Sequence, residues 1–220
     1  MSRRKVMLLS EMQVLAGRMY RASLTMPAGS RVFLAEIIAM MRGLKMPWHR
    51  RRVSMAARRD MSALHEILTS NHGRGYFDWE HLPWAEAVYS DAMKDSTTAG
   101  WGWCTQTGEH DSGVYGRSMR RKPIDELEAD AVYRAAVALG ETWKGKRVPL
   151  YIDNSAVQLS LRKGWSRAPR LTSYIKKLHQ LAVRYDCVLV PIWISTHDNI
   201  GADALSRKDY ARYAKWASDI

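Results

Sequence analysis

The chain has 220 residues, 46% of them hydrophobic and 25% charged, which is the composition of an ordinary globular protein. A disordered tail and a collagen-like repeat are excluded, and no apolar run approaches the roughly 18 residues that cross a bilayer, so neither a membrane span nor a secretory signal is expected. The 34 Lys and Arg against 22 Asp and Glu leave a net charge of +12, so a polyanion such as nucleic acid is the expected partner.

Residues 1–83 are predicted to form a helical amino-terminal arm. Apolar residues recur at helical spacing over 12–23, 31–44 and 53–69, and the sequence MPAGS interrupts the first two stretches. No strand is expected in this arm. A loop rich in Gly, His and aromatic residues, 71–83, ends it.

Residues 84–220 are predicted to alternate between strands and helices. Strands are expected at 87–93, 100–105, 112–116, 147–153 and 187–194. Helices are expected at 125–143, 155–162, 171–184 and from about residue 200. The run 187–194 is apolar at both parities, which is typical of a strand covered on both faces. The order predicts an α/β fold with a mixed five-stranded sheet flanked by helices.

Cysteine usage favours a reducing compartment, and therefore an intracellular protein, nuclear or cytoplasmic. Cys104 and Cys187 are far apart in the chain and form no CxxC pair. Neither a disulfide framework nor a zinc knuckle is expected from this spacing. Both cysteines are predicted to be core residues.

Four carboxylates occupy unusual positions. Asp91 and Asp153 each close a run with strand character, where parallel sheets present groups to ligands. Glu128 shares a helical face with the apolar positions 132, 135 and 139, and a lone ionised carboxylate buried there would cost several kcal/mol. It must therefore be protonated, paired or bound to a cation. Asp203 enters a predicted helix beside apolar residues.

Three of these residues also have an ordinary structural interpretation. Asp91 and Asp153 would suit the cap of a turn or helix, and Asp203 a helix amino terminus. Carboxylates gathered by a fold, however, repel one another unless divalent cations neutralise them. Oxygen ligands without a His and Cys cluster favour magnesium or manganese over zinc.

Four segments carry a resemblance to a known family: SDAMKDSTTAGWGW, IDELEADAV, YIDNSAVQLSLRKGWSRAP and NIGADALSR. In this order over residues 86–209, they resemble the ribonuclease H domain of retrotransposon reverse transcriptases, especially the DIRS and gypsy-like groups. The segment LAGRMYRASLTMPAGSRVFL is similar to the connection between the polymerase thumb and that domain. A polymerase Tyr-x-Asp-Asp pair is absent from the sequence.

The resemblance implies a ribonuclease H-like fold and hydrolysis of the RNA strand of RNA/DNA hybrids with two Mg²⁺ or Mn²⁺ ions. In-line attack by water needs one cation to generate hydroxide and another, about 4 Å away, to stabilise the leaving 3′ oxygen. By resemblance, Asp91 bridges both ions and Asp203 completes the nucleophile side. Glu128 and Asp153 then hold the leaving-group side. The implied partners are a hybrid and a reverse transcriptase polymerase domain or subunit.

One position departs from the family pattern. Where many cellular members carry a mobile His that aids proton transfer or product release, this chain has Trp193. His197 lies nearby at another spacing and either substitutes for it or sits in a loop. This departure favours one alternative to an active ribonuclease H, a catalytically weak module that binds nucleic acid or a polymerase partner. A third interpretation, a DNA-processing nuclease or integrase of related fold, fits the sequence around Asp203 less well.

Candidate nucleic-acid contacts mix cations with an aromatic side chain, which suits phosphate contacts and stacking. They are Arg162, Lys163, Trp165, Arg167 and Arg170. Asn154 is expected either to contact 2′ hydroxyls or to cap a helix. In the arm, Arg50, Arg51 and Arg52 either extend the footprint on a duplex or form a solubilising helix cap.

Overall fold

The computed structural model describes residues 5–24, 30–70 and 80–219. Most of the predicted MPAGS break and of the predicted loop at 71–83 lies outside these ranges. The chain divides into two compact units, residues 1–78 and 79–220. None of the described helices is long and apolar enough to cross a membrane.

The first unit is mainly helical. Its elements in chain order are β1 (Val6–Leu8), α1 (Leu9–Ser23), a 3₁₀ helix (Ser30–Leu34), α2 (Ala35–Met41), β2 (Arg50–Arg52) and α3 (Met55–Ser70). The three predicted helices are thus present, but the second is shorter than expected. It begins as a 3₁₀ turn and ends two residues before Gly43. The φ of Gly43 is 78°, a left-handed conformation that is incompatible with continuation of an α-helix. Met12, Met40 and Val53 pack together in the core of this unit.

The prediction that the first unit contains no strand is wrong. β1 and β2 pair antiparallel, with Val6 opposite Arg52 and Leu8 opposite Arg50. Three successive arginines show neither alternation nor β-branched residues, so their strand conformation comes from pairing with β1 rather than from local preference. The interpretation of these arginines as a helix cap is wrong for the same reason.

The second unit contains the predicted five-stranded mixed sheet. Its strands are β3 (Val88–Lys94), β4 (Ala99–Thr105), β5 (His110–Val114), β6 (Arg147–Ile152) and β7 (Val188–Trp193). They lie in the order β5-β4-β3-β6-β7. The β3-β4 and β4-β5 pairs are antiparallel, whereas β3-β6 and β6-β7 are parallel. The fold class predicted from the sequence is therefore confirmed.

Helices flank this sheet. They are α4 (Arg117–Arg120), α5 (Ile124–Leu139), α6 (Ser155–Lys163), α7 (Pro169–Arg184), α8 (Ile200–Ser206) and α9 (Tyr210–Ser218). Helix α5 packs on β3, β4 and α7, and α8 packs on β3, β4 and α9. The predicted helix 125–143 continues beyond α5 only as a 3₁₀ turn, Gly140–Trp143.

Strand β7 differs from its prediction. It lies at the edge of the sheet, its residues are half-buried rather than covered on both faces, and Trp193 is 55% exposed. An apolar run indicates that a strand is buried but does not indicate its position in the sheet. Pro191 has no backbone N–H to donate to a neighbouring strand, so its presence is compatible with an edge strand. Cys104 and Cys187 are both buried and free, as predicted.

Candidate active site

Three of the four predicted carboxylates meet at one place. Asp91 lies within β3, Glu128 on α5 and Asp153 directly after β6. One carboxylate oxygen from each lies within 4.8 Å of the other two. Asp91 and Glu128 are buried, and Asp153 is half-buried. This spacing would allow the three side chains to share a bound cation.

The local structure explains why these residues meet. Strands β3 and β6 are parallel neighbours with Ser90 opposite Ile152, so the next residues, Asp91 and Asp153, lie at the same level. Asp91 does not close its strand as predicted, because β3 continues to Lys94. The predicted helical stripe through Glu128 is confirmed, since positions 132, 135 and 139 are all buried.

Protein groups hold each of the three carboxylates but leave oxygens unpaired. Asp91 Oδ2 accepts a hydrogen bond from Ser206 Oγ, and Asp153 Oδ2 accepts one of 2.9 Å from Thr196 Oγ1. The backbone N–H of Ala92 donates to the Glu128 carboxylate. Glu128 Oε2 and Asp153 Oδ1 are buried without a hydrogen-bond partner among the described residues. Since buried polar atoms are nearly always satisfied, these oxygens fit a cation-binding role.

Burial and mutual repulsion disfavour the ionised carboxylates. Burial, opposed in part by the Ser206 hydrogen bond, raises the pKa of Asp91 to about 6. Burial and then the Asp91 charge raise the pKa of Glu128 well above its ordinary value. The pKa of Asp153 is also raised, chiefly by burial. All three shifts are those expected of carboxylates that a cation would neutralise.

These shifts predict that the metal-free protein loses stability as the pH rises. Unfolded Asp91 ionises near its ordinary pKa of 3.8, whereas folded Asp91 retains its proton up to about pH 6. Between these values the folded state binds more protons, so the free energy of unfolding falls, by about 3 kcal/mol from this group. Melting curves in EDTA from pH 4 to 8 measure the fall. Asp91→Asn should make the fall in stability with pH shallower. A pH profile in that variant equal to that of the parent would contradict the raised pKa of Asp91.

The fourth predicted carboxylate, Asp203, is held differently. It is buried on α8, and its Oδ1 accepts from Arg207 Nε at 2.7 Å while Oδ2 accepts from Arg212 Nη1 at 2.5 Å. It does not belong to the group of three oxygens within 4.8 Å. Its charge nevertheless contributes to the raised pKa values of Asp91, Glu128 and Asp153. The structure therefore shows three converging carboxylates and an ion-paired fourth.

Two glycines of β4 allow α8 to lie against the sheet. A Cβ atom at Gly102 would stand 2.5 Å from Leu205 Cβ and 2.6 Å from Ser206 N, and one at Gly100 would overlap the Ser206 carbonyl. Real Cβ atoms do not approach so closely, so only glycine permits this packing. The close approach brings Ser206 to Asp91, which is opposite Gly102 in the β3-β4 pair.

Sequence reasoning missed several residues that support the site. Ser206 and Thr196 bind the carboxylates directly, and Asn199 Nδ2 donates to the Ser90 carbonyl at 3.0 Å beside Asp91. The spacing of Arg207, four residues after Asp203 on a helix, was an available signal for an ion pair. Arg212 lies on the next helix, and no local pattern indicates its contact.

Trp193, which stands at the position of the family's histidine, and His197, its candidate substitute, lie near the end of β7. Trp193 Nε1 donates to the Asp153 carbonyl at 3.1 Å, so this indole is hydrogen-bonded to the backbone of the site. His197 is exposed in the loop between β7 and α8. Its auxiliary role stays a prediction.

The predicted nucleic-acid contacts of the second unit follow Asp153 along the chain. Asn154 caps α6, with its Oδ1 accepting from the backbone N–H groups of Ala156 and Val157. Arg170 is paired with Asp125 through Nε and Nη2. The side chains of the remaining members are exposed and form no hydrogen bond or ion pair with the described residues: Arg162, Lys163, Trp165 and Arg167.

The arginines predicted to bind nucleic acid in the arm belong to the first unit. Arg50 and Arg52 are exposed, and Arg51 is half-buried, as expected for alternate residues of a strand. Their contribution to a footprint stays a prediction.

No protein-family model and no curated protein matches this chain. Solved structures do. LC11-RNase H1, isolated from compost by a metagenomic approach and solved in complex with an RNA/DNA hybrid, aligns with a TM-score of 0.50 at 19% identity over 58% of this chain and 99% of that chain. RNase H1 from the halophilic archaeon Halobacterium salinarum NRC-1 aligns with a TM-score of 0.48 at 20% identity over 57% of this chain and 97% of that chain. Together with the strand order, the first of these alignments shows that the chain contains a ribonuclease H-like fold.

Proposed function

We propose that this chain is a divalent-metal-dependent endonuclease that hydrolyses the RNA strand of RNA/DNA hybrids and derives from a retroelement reverse transcriptase. The observation that carries the proposal is the convergence of Asp91, Glu128 and Asp153, with two buried oxygens lacking any partner among the described residues. Such a group is unstable when fully ionised and empty of cations, so its presence in a buried position favours a metal centre.

Mg²⁺ or Mn²⁺ is the cofactor that these ligands favour, because carboxylate oxygens suit hard cations. Asp91, Glu128 and Asp153 would hold it, and Asp203 would join them for a second ion. Bound divalent cations activate an attacking water and stabilise the leaving oxygen of a phosphodiester. The residues of the chain orient the ligands: Ser206 positions Asp91, Thr196 positions Asp153 and the Ala92 N–H positions Glu128.

An RNA/DNA hybrid is the proposed substrate. LC11-RNase H1, which has a similar fold, was solved in complex with such a hybrid, and the net charge of +12 favours a polyanion. Asn154, next to Asp153, is the N-cap of helix α6, and Gly164 ends this helix in the left-handed conformation with a φ of 68°. This turn leads to the exposed Trp165 and Arg167, so a cationic and aromatic surface follows directly from the site along the chain.

The substitution Trp165→Ala together with Arg167→Ala is expected to weaken hybrid binding by about 10- to 100-fold, because stacking contributes roughly 1 to 3 kcal/mol per base and a phosphate contact is lost as well. Fluorescence anisotropy with a labelled hybrid measures the change. The matched control is Trp84→Ala together with Lys144→Ala, which should leave the affinity for the hybrid unchanged. Both residues are exposed and lie near the start of β6, whereas Asp153 follows its end.

Binding should also weaken steeply between about 50 and 200 mM salt, because phosphate contacts release counterions. An affinity that is flat over this range would contradict the proposed footprint, as would equal losses in the test and control variants.

The function is tested with four end-labelled substrates: a hybrid, duplex RNA, duplex DNA and single-stranded RNA, each with Mg²⁺, Mn²⁺ or EDTA. Only the RNA strand of the hybrid should be cut, and EDTA or Asp91→Asn should prevent it while hybrid binding is retained. Cleavage of duplex DNA would instead support a DNA-processing nuclease. Cleavage that survives Asp91→Asn would refute the metal centre.

A second candidate function is a catalytically weak ribonuclease H-like module that binds nucleic acid or a polymerase partner. Two observations favour it: the ion pairing of Asp203 and the presence of Trp193 where many family members have histidine. Tight hybrid binding without measurable cleavage under any cation would select this function over the first.

The proposal extends to the arm. We place residues 1–83 as a connection-like arm and residues 84–220 as the ribonuclease H-like domain, and the division of the chain between residues 78 and 79 supports two bodies. The resemblance of the arm to a reverse transcriptase connection supports a polymerase domain or subunit as a partner. Co-purification with a separately expressed polymerase domain of that class tests this partner.

A further inference from the structure

Asp203, the acidic residue of α8, is paired with two cations. Both of its carboxylate oxygens accept from guanidinium groups, one from Arg207 and one from Arg212. Its side chain is 7% exposed, whereas those of Arg207 and Arg212 are 52% and 43% exposed. A buried acceptor is thus held by two cations that reach it from the solvent side.

The position of Arg212 is fixed by the structure around α9. Asp209 caps this helix by accepting from the Arg212 backbone N–H at 3.0 Å, and Lys208 turns the chain with a φ of 60°. Trp216 of α9 lies over Gly201 of α8, where any Cβ atom would meet the indole ring. These contacts place Arg212 in the first turn of α9, directed back at α8.

This pairing opposes the use of Asp203 as a metal ligand. A cation that recruits an Asp203 oxygen must first displace a guanidinium from it, and charge-assisted pairs of this kind are strong. Nucleic acid offers the guanidinium an alternative partner, because phosphate accepts from arginine in the same way and the Arg212 side chain is accessible. Metal binding by Asp203 and phosphate binding by Arg212 are therefore expected to favour each other.

We propose that Arg212 is a positioning residue that restrains Asp203 in the free protein, so that a second cation binds well only after a phosphate of the nucleic acid has taken the guanidinium. Arg207, the C-cap residue of α8, restrains the other oxygen. The proposal rests on the proposed function, and it adds to that function a substrate-dependent step in the assembly of the metal centre.

The test is a titration of the full chain with Mn²⁺ alone, in which isothermal titration calorimetry measures the stoichiometry and the affinity. The parent protein should bind one ion per chain well and a second weakly. Arg212→Gln should strengthen the second site by about 10-fold or more, the size typical of changes to groups around a metal ligand. Lys215→Gln removes a charge from the same helix without touching Asp203, and it should bind Mn²⁺ as the parent does.

A double-mutant cycle shows whether Arg212 acts through Asp203. In an Asp203→Asn background, Arg212→Gln should no longer change Mn²⁺ affinity. A hybrid whose RNA strand is 2′-O-methylated, and so resists cleavage, should strengthen the second site in the parent and have little effect in Arg212→Gln. If Arg212→Gln does not fold, Arg207→Gln should shift affinity in the same direction.

Unchanged Mn²⁺ stoichiometry and affinity in the folded variants would overturn the restraint and leave the nuclease proposal standing if the hybrid is cut. An equal gain from Arg212→Gln in the Asp203→Asn background would also overturn it, because the effect would then be general electrostatics. Failure of every variant to bind Mn²⁺, together with an uncut hybrid, would refute the proposed function itself.

Discussion

Glu128→Gln should reduce hydrolysis of the hybrid by at least about 10³-fold, the scale of losses when a group central to the chemistry is removed. The same substitution should leave the metal-free protein as stable as the parent or more stable. Glu128 is 6% exposed, and its ionised form is opposed by burial and by Asp91. Glutamine keeps the shape and an oxygen acceptor for the Ala92 N–H but removes the charge. Loss of activity is thus expected to accompany unchanged or increased stability, as at other functional sites where a destabilising group is kept for its chemistry.

The matched control is Glu126→Gln on the same helix. Glu126 is also buried, but it forms an ion pair of 2.9 Å with Lys122 and does not belong to the group of converging oxygens. This control should retain cleavage and lose some stability. Thermal melting with and without Mn²⁺ completes the comparison, because the metal should raise the melting temperature of the parent and of Glu126→Gln but not of Glu128→Gln. Cleavage by Glu128→Gln at the parental rate would remove the argument for a metal centre.

The sequence predicted those parts of the site that depend on local periodicity. Glu128 was found because a helix repeats every 3.6 residues, so a carboxylate among apolar positions is visible without knowledge of the fold. Asp153 was predicted because a strand with alternating apolar residues ends there, and the succession of strands and helices along the chain followed from the changes of periodicity. The meeting of Asp91 with Asp153 then follows from parallel pairing of β3 and β6.

Contacts between distant segments could not be predicted in this way. The pairing of Asp203 with Arg212 depends on the angle at which α9 follows α8, and the hydrogen bond from Ser206 to Asp91 depends on how closely α8 approaches the sheet. Strand β2 likewise exists only because β1 lies beside it. In each case the residue types were compatible with several structures, and long-range packing selected one.

Gly102→Ala is expected to have the largest effect on stability among the substitutions considered for the second unit. The added Cβ would stand 2.5 Å from Leu205 Cβ and 2.6 Å from the Ser206 nitrogen, so α8 has to move away from β4. Overpacking of this kind costs about 1 to 3 kcal/mol. The shift would also separate Ser206 from Asp91 and displace Asp203, so cleavage should fall more than the loss of folded protein explains.

Urea unfolding and hybrid cleavage measure the two effects, and Gly116→Ala is the control. Gly116 is exposed, has a φ of −65° and has no atom near the position of a new Cβ, so alanine there should change stability by no more than about 0.5 kcal/mol. If the two variants unfold at the same urea concentration, α8 does not lie as close to β4 as the structure has it. If Gly102→Ala is destabilised but its folded fraction cleaves normally, the close packing of α8 on β4 stabilises the fold without positioning the carboxylates. Loss of both, with Gly116→Ala unaffected, ties the Gly-x-Gly sequence of β4 to the geometry of the converging carboxylates.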